Sequence, residues 1–300
     1  MTRRMKANRI LAIAPFQPLN EANRLDEFLV AELHSLLLRV KESLVVVFDL
    51  GSLECEQVAG ITFDQVYRHM HSCYSVCQAF CTLNDKLLLD VSVLYFPFCV
   101  QPFNIPHDEV VRLFEDSKNP QRIEARFQQK SLILSTNEFN KFALVALGGT
   151  FDHLHCGHKI LLATASMLCN QRLIIGITDA NLLETKRFQG QIQTFELRKE
   201  RVEAFVALFK GNHQRVECEV VKLLDAFGPT VTDCNIQCIV VSGETKAGAL
   251  QINARRRALG MQELEVQVID MLVRNEDAQP EDEIADKISS TLIREYLTKH

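Results

Sequence analysis

No apolar run in this 300-residue sequence approaches the ~18 residues of a membrane span, and Leu11 to Phe16 is too short for a secretory hydrophobic core. Neither a spanning helix nor a secretory leader is therefore expected. Positive charge is not in excess either: 33 Lys and Arg stand against 38 Asp and Glu, a formal net charge of -5. That balance removes any general attraction to nucleic acid or anionic membrane, so anion binding must come from local clusters. Internal repeats and low-complexity tracts are missing, and 47% hydrophobic with 24% charged residues excludes fibrous and disordered classes. Nor is there a Gly-x-x-x-x-Gly-Lys-Ser/Thr phosphate loop, which excludes that class of kinase. Ten cysteines are present, but they are scattered and no leader precedes them, so they read as reduced thiols of a cytoplasmic protein. The basic stretch Met1 to Arg9 leaves mitochondrial association as an alternative.

The length exceeds the usual ~100 to 200 residues per domain, and two domains are expected. In residues 141–300, β-rich runs at Phe142 to Leu147, Arg172 to Thr178, Val216 to Val221, Ile236 to Val241 and Glu265 to Ile269 alternate with helical patterns. Val202, Phe205, Val206 and Phe209 form a helical stripe, with Gly211 placed to end it. Near-continuous apolar strands joined by helices predict an α/β fold: a doubly wound, Rossmann-like parallel sheet of five strands. Residues 1–140 also read as α/β, an accessory domain with strands at Ile10 to Ala14, Leu44 to Phe48 and Leu87 to Phe96. Its helices are expected at Glu21 to Val40 and Phe63 to Cys81. The Pro-containing, charged stretch Gln101 to Asn140 reads as containing the connection between domains.

The chemistry concentrates in Gly148-Gly149-Thr150-Phe151-Asp152-His153-Leu154-His155-Cys156-Gly157-His158. An apolar strand ends at two glycines that let the backbone approach a ligand, and a helix beginning near Lys159 presents unpaired N–H groups to an anion. His155 and His158, three apart in or near the first helical turn, can lie on one side and donate hydrogen bonds to one phosphate. Transfer of phosphoryl or nucleotidyl groups is catalysed mainly by positioning and charge stabilisation, which such donors, with Lys and Mg2+, supply. A second segment, Ile288-Ser289-Ser290-Thr291-Leu292-Ile293-Arg294, opens a short amphipathic helix whose hydroxyls can cap it or hold phosphate.

Together these residues resemble the nucleotidylyltransferase superfamily, and more narrowly the eukaryotic type of phosphopantetheine adenylyltransferase found in bifunctional coenzyme A synthase. The likeness covers about Phe142 to Leu297. It includes Gly148 to Leu162, Leu223-Leu224-Asp225-Ala226-Phe227-Gly228-Pro229, Val240-Val241-Ser242-Gly243-Glu244-Thr245 with Gly248 and Ile252-Asn253, and Lys287 to Arg294. The resemblance implies attack by the phosphate of 4'-phosphopantetheine on the α-phosphate of ATP, with Mg2+ accompanying ATP, giving dephospho-coenzyme A and pyrophosphate. No covalent enzyme intermediate is implied. His155, His158 and Lys186 would be catalytic. Gly148, Gly149, Thr150, Phe151, Gly157, His158, Ser242, Glu244, Ser289, Ser290, Thr291 and Arg294 would hold ATP, while Thr150, Lys186 and Arg201 would meet the acceptor. Two departures stand out. Gly243 occupies a position where relatives often carry glutamate. The kinase that completes coenzyme A is missing, so a separate dephospho-coenzyme A kinase is expected to act next.

Rival readings are a cytidylyltransferase acting on a phosphorylated alcohol, which shares the first motif, and a non-catalytic nucleotide-binding regulator. The former lacks its usual Arg-x-x-x-Ile-Ser-Thr signature here, and a nicotinamide mononucleotide adenylyltransferase would show Gly-Ser/Thr-Phe-Asn-Pro. His69, Cys73, Cys77 and Cys81 follow at steps of four, but a helix would separate the first from the last by ~18 Å, too far to share one zinc ion. A buried helical stripe is the expected meaning, and no protein-held metal is expected. Arg255, Arg256 and Arg257 point in different directions on a helix, and most of that run is expected at the surface.

Overall fold

The computed structural model describes residues 7–50, 60–99, 102–113, 139–209, 216–269 and 289–300. Those up to 113 fall in one compact unit and those from 139 onward in a second.

The N-terminal unit contains β1 (Arg9–Pro15), α1 (Glu27–Arg39), β2 (Ser43–Asp49), α2 (Phe63–Leu83), β3 (Asp90–Phe96) and β4 (Glu109–Arg112). Its strands are parallel in the order β3-β2-β1-β4. Successive residues Leu44, Val45, Val46, Val47 and Phe48 are all buried, the signature of a strand covered on both faces. Helix α1 begins later than its apolar pattern suggests because Asp26 caps it, accepting from the amides of Phe28 and Leu29, and Asn23 turns the chain with φ of 56°. Helix α2 starts at a reciprocal Thr62/Gln65 capping box, so two otherwise unpaired N–H groups find partners. Strand β4 lies within the stretch expected to contain the connection and was not itself expected: Val110 and Val111 are too few to show alternation, but they pair in register with Leu11 and Ala12. The remainder, 114–138, lies outside the described residues, as does Gly211.

Cys73, Cys77 and Cys81 are buried on α2, as the stripe requires. His69 lies on the same face, fully covered, with Nδ1 2.8 Å from the Tyr95 hydroxyl. The rings of Phe16 and Phe48 pack on it at 4.9 and 4.5 Å between centroids, and its Nε2 has no hydrogen-bond partner. Burial pushes its imidazole down to about 3. The unfolded chain therefore binds more protons than the folded one below the ordinary value near 6.5. This unit's stability is full above that pH and falls by about 1.4 kcal/mol per pH unit as pH drops toward 3. Three of the four tyrosines, Tyr67, Tyr74 and Tyr95, belong to this unit, so tyrosine fluorescence follows it during urea unfolding. Between pH 6.5 and 5 the stability difference between wild type and His69→Leu should change by about 2 kcal/mol. A difference that stays constant with pH would contradict the neutral buried state.

The C-terminal unit contains β5 (Phe142–Gly149), α3 (Cys156–Leu168), β6 (Cys169–Thr178), α4 (Phe195–Phe209), β7 (Glu217–Leu223), β8 (Cys238–Ser242), α5 (Lys246–Ala258), β9 (Glu265–Ile269) and α6 (Ser290–Lys299). Its five strands are parallel in the order β7-β6-β5-β8-β9, the doubly wound arrangement expected. One core cluster gathers Ala146, Ile174, Ile239 and Val241 with Ala249 and Ile252 of α5. On α4 the stripe Val202, Phe205, Val206 and Phe209 is buried. Helix α3 is covered nearly all round from Lys159 to Leu168, which suits its run of small and aliphatic residues.

Arg256 corrects part of the expected surface run. It is fully buried, and its guanidinium donates to the carbonyls of Thr230, Asp233, Cys234, Ile236 and Gln262. Its planar fork satisfies the ends of the 228–237 loop and the turn after α5 together.

Candidate active site

The strand order reverses direction between β5 and β8, and in such sheets ligands bind in the crevice beyond the strands' carboxyl ends at that point. Val145 to Leu147 pair with Cys238 to Val240, so Gly149 and Ser242 end their strands at the same level on either side of the crevice. The chain leaves β5 through a tight turn in which Phe151 and His153 both adopt positive φ, 50° and 45°. Neither is glycine, and such backbone persists only where the surroundings hold it. Phe151 is buried against the His158 ring, with centroids 5.3 Å apart.

Helix α3 then begins with His155 as N-cap, whose side chain makes no capping bond. The first amides of α3 are thus left to a ligand, beside the positive end of the helix dipole. The His155 and His158 rings lie 3.9 Å apart, tilted by 32°, and the Nδ1 of each is buried without a partner. Burial pushes the His155 imidazole down to about 4, with Lys159 and His153 acting in the same direction. Burial, then His155 and Lys186, hold His158 well below its ordinary value. Both are neutral at neutral pH, so each ring carries one N–H donor. An arriving phosphate meets polarity without a standing charge, and its own charge favours protonating the pair.

Lys186 sits exposed on the 179–194 loop, near enough to His158 to act on its charge. That loop is tied to the motif turn. His153 donates from Nε2 to the Gln191 carbonyl at 2.7 Å, the Gln193 amide donates to Asp152 Oδ1 at 2.9 Å, and the His153 amide donates to Gln193 Oε1 at 2.9 Å. The C-terminal segment reaches the same turn. Ser289 caps α6 through the Leu292 amide, and Ser290 Oγ donates to the Asp152 carbonyl at 2.8 Å. Thus Gly148, Gly149, Thr150, Phe151, Gly157, both histidines, Lys186, Ser289, Ser290 and Thr291 gather around one turn.

Ser242 and Thr245 hydrogen-bond each other in the short turn 243–245, with Glu244 exposed. A side chain at Gly243 would meet nothing within 4 Å, so the glycine leaves open space there. Arg201 is exposed on α4. Arg294, expected on ATP, is turned inward instead: it is 1% exposed. Its Nη1 donates to Asp152 Oδ2 at 2.6 Å, its Nε to the Arg187 carbonyl at 3.0 Å and its Nη2 to Thr291 Oγ1 at 3.1 Å. The arginine joins the Lys186 loop, the motif turn and α6, and all three of its nitrogens are engaged within the protein.

Residues 146–296 match the model of the cytidylyltransferase-like family, just over half of the chain. The chain belongs to that family. Curated relatives named phosphopantetheine adenylyltransferase include one from Pyrobaculum aerophilum, 35% identical over 53% of this chain and 94% of its own length. Another, from Methanopyrus kandleri, is 38% identical over 51% of this chain and 90% of its own. The Saccharomyces cerevisiae protein of that name is 43% identical over 53% of this chain, a match that spans 50% of its length. The family region coincides with the C-terminal unit.

Within that region three residues that sequence reasoning did not assign to the site hold its shape: Asp152, Gln193 and Arg198. Asp152 is fully covered and carries the contacts already described to Gln193 and Arg294. Arg198 is 2% exposed and lies one turn before Val202, on the apolar stripe of α4. A cation on a buried stripe must find partners, and that was the signal available. The Leu223 side chain lies against three glycines of this unit. A Cβ on Gly176 would lie 2.7 Å from its side chain, one on Gly148 3.4 Å, and one on Gly228, where φ is +49°, would collide with it outright. Asp225 shapes the next turn, accepting from the amides of Phe227 and Gly228.

Proposed function

We propose that this protein transfers the adenylyl group of ATP to 4'-phosphopantetheine. An oxygen of the acceptor phosphate forms a bond to the α-phosphorus, the bond from that phosphorus to the bridging oxygen breaks, and pyrophosphate leaves with the electron pair. The single observation that carries the reading is the uncapped start of α3, with two neutral imidazoles 3.9 Å apart, beside Thr150 at the switch point. Those donors suit charge growing on phosphate oxygens. The relatives named phosphopantetheine adenylyltransferase support the choice of substrates.

In this reading His155 and His158 donate to ATP phosphate oxygens, Thr150 stands between the reacting groups, and Lys186 offsets charge beside the acceptor. Ser289 to Thr291 close over the ATP phosphates. Among the described residues no group of three His, Cys, Asp or Glu side chains is placed to hold a metal, and Mg2+ enters as the counter-ion ATP brings. The product still lacks a phosphate on its ribose, so a kinase acts on it next. No helix among the described residues is long and apolar enough to cross a membrane, and the reading places the reaction in the cytoplasm.

Purified protein incubated with 4'-phosphopantetheine and ATP should yield dephospho-coenzyme A and pyrophosphate in equal amounts. The reaction with CTP should be at least ~100-fold slower, the scale on which a site built around one base's hydrogen bonds rejects another. Absence of product with ATP would sink the proposal, and equal rates would return the chain to the cytidylyl branch.

A further inference from the structure

We propose that Arg198 is a positioning residue that fixes the reacting geometry of Thr150 by holding its backbone carbonyl. The proposal rests on the adenylyl-transfer reading for what Thr150 does, but its structural half stands by itself.

Arg198 sits in the first turn of α4, 2% exposed. Its Nη1 donates to the Thr150 carbonyl at 2.7 Å, its Nη2 to the Thr178 carbonyl at 3.0 Å and its Nε to the Gln193 carbonyl at 3.1 Å. These three oxygens come from three different segments: the motif turn after β5, the carboxyl end of β6, and the last residues of the Lys186 loop. Among the described residues no hydrogen bond joins the guanidinium to a carboxylate. Acidic groups act on it only through the field, Asp152 before Asp179 and Glu196, while burial disfavours its charge. A buried cation answered only by carbonyl dipoles is a costly way to close a loop. A rigid planar fork of donors fixes the directions of the three carbonyls relative to one another.

The need for it lies in the turn. Thr150 follows the end of β5 and precedes Phe151, whose φ is +50°. The peptide between them is beyond the strand's ladder, and its oxygen is held by Arg198. Fixing that oxygen fixes the rotation of the peptide plane, and with it the place from which Thr150 meets the reacting phosphates. The same guanidinium holds Gln193, whose amide and side chain fasten Asp152 and His153. Movement of Arg198 therefore changes the motif turn and the Lys186 loop together. A misplacement on the order of 1 Å in a transfer site can cost about 100-fold in rate.

The test is a double-mutant cycle in kcat on the full chain, with Thr150→Val to remove the hydroxyl at constant shape and Arg198→Lys to retain charge without the fork. Arg198→Lys should lower kcat by about 30- to 100-fold and leave KM for ATP within roughly threefold. Added to Thr150→Val it should lower kcat no further, because coupled residues are not additive. Losses that multiply would overturn the proposal and make Arg198 a general packing residue.

Hydrogen–deuterium exchange of the ligand-free protein gives the independent arm. Amides of residues 150–153 should exchange at least tenfold faster in Arg198→Lys while those of β6 stay unchanged. Equal rates in the turn would overturn the proposal even if activity fell. Should Arg198→Lys fail to fold, Arg198→Gln, which keeps an uncharged donor, carries both arms. If wild type makes no dephospho-coenzyme A, the functional reading fails, and the exchange arm alone decides whether Arg198 holds the turn.

Discussion

His158→Ala lowers kcat for adenylyl transfer by about 1,000-fold, the scale on which removal of one donor to a developing oxyanion acts. The effect on stability is small by comparison. His158 is only partly covered and its buried Nδ1 has no partner, so alanine strands no polar group. What is lost are the ring contacts with His155 and Phe151, each worth about 1 kcal/mol. Rate and stability therefore separate in this variant, which thermal unfolding and initial-rate kinetics on one preparation will show. KM for ATP should rise less than kcat falls, because the donor matters most where charge grows. A variant with wild-type kcat would refute the role of the pair. A variant that unfolds with loss of activity would show that the imidazole holds the turn rather than the phosphate.

Arg294→Met has the largest expected effect on stability. It leaves the Asp152 carboxylate, which is fully covered, without its 2.6 Å counter-ion, and breaking a buried pair from one side costs about 3 to 5 kcal/mol. Against a total of about 5 to 15 kcal/mol for a domain, that places the C-terminal unit near the limit of folding. The double variant Asp152→Asn, Arg294→Met should regain a large part of the loss, since no charge is then stranded. Chemical denaturation followed by far-ultraviolet circular dichroism measures both. A loss below about 1 kcal/mol in the single variant would be the behaviour of an exposed pair and would contradict the burial. Because Arg294 also donates to the Arg187 carbonyl, the variant should release the Lys186 loop and slow transfer even under conditions where it stays folded.

These two residues mark what could and could not be read from the sequence. His158 was legible because its partners are local: two glycines, a strand before them and a helix after them place it within ten residues. Arg294 was legible as a motif member but not in its role, which depends on contact with Asp152, 142 positions away. Strand β4 was not legible because its four residues give too few repeats of the strand's period of two to show alternation. In the C-terminal unit, β5, β6 and β8 were visible through the buried apolar runs Val145 to Leu147, Leu173 to Ile177 and Cys238 to Val241, and the half-buried strands β7 and β9 through their β-branched residues. Arg198 sat in plain view on the α4 stripe, three residues before the Arg201 that was chosen. Helical periodicity distinguishes them, because Arg198 falls about 30° and Arg201 about 90° from the centre of the stripe formed by Val202, Phe205, Val206 and Phe209. Arg256 follows the same logic as the one buried member of a run expected mostly at the surface.

Leu223 lies across Gly148, Gly176 and Gly228, from three separate stretches of chain, and at Gly176 and Gly228 an added methyl would overlap it. The two glycines are therefore held for different reasons. At Gly176 the nearest atoms all belong to the Leu223 side chain, so a shorter residue at 223 makes room for a methyl there, whereas at Gly228 the φ of +49° strains any side chain whatever the space.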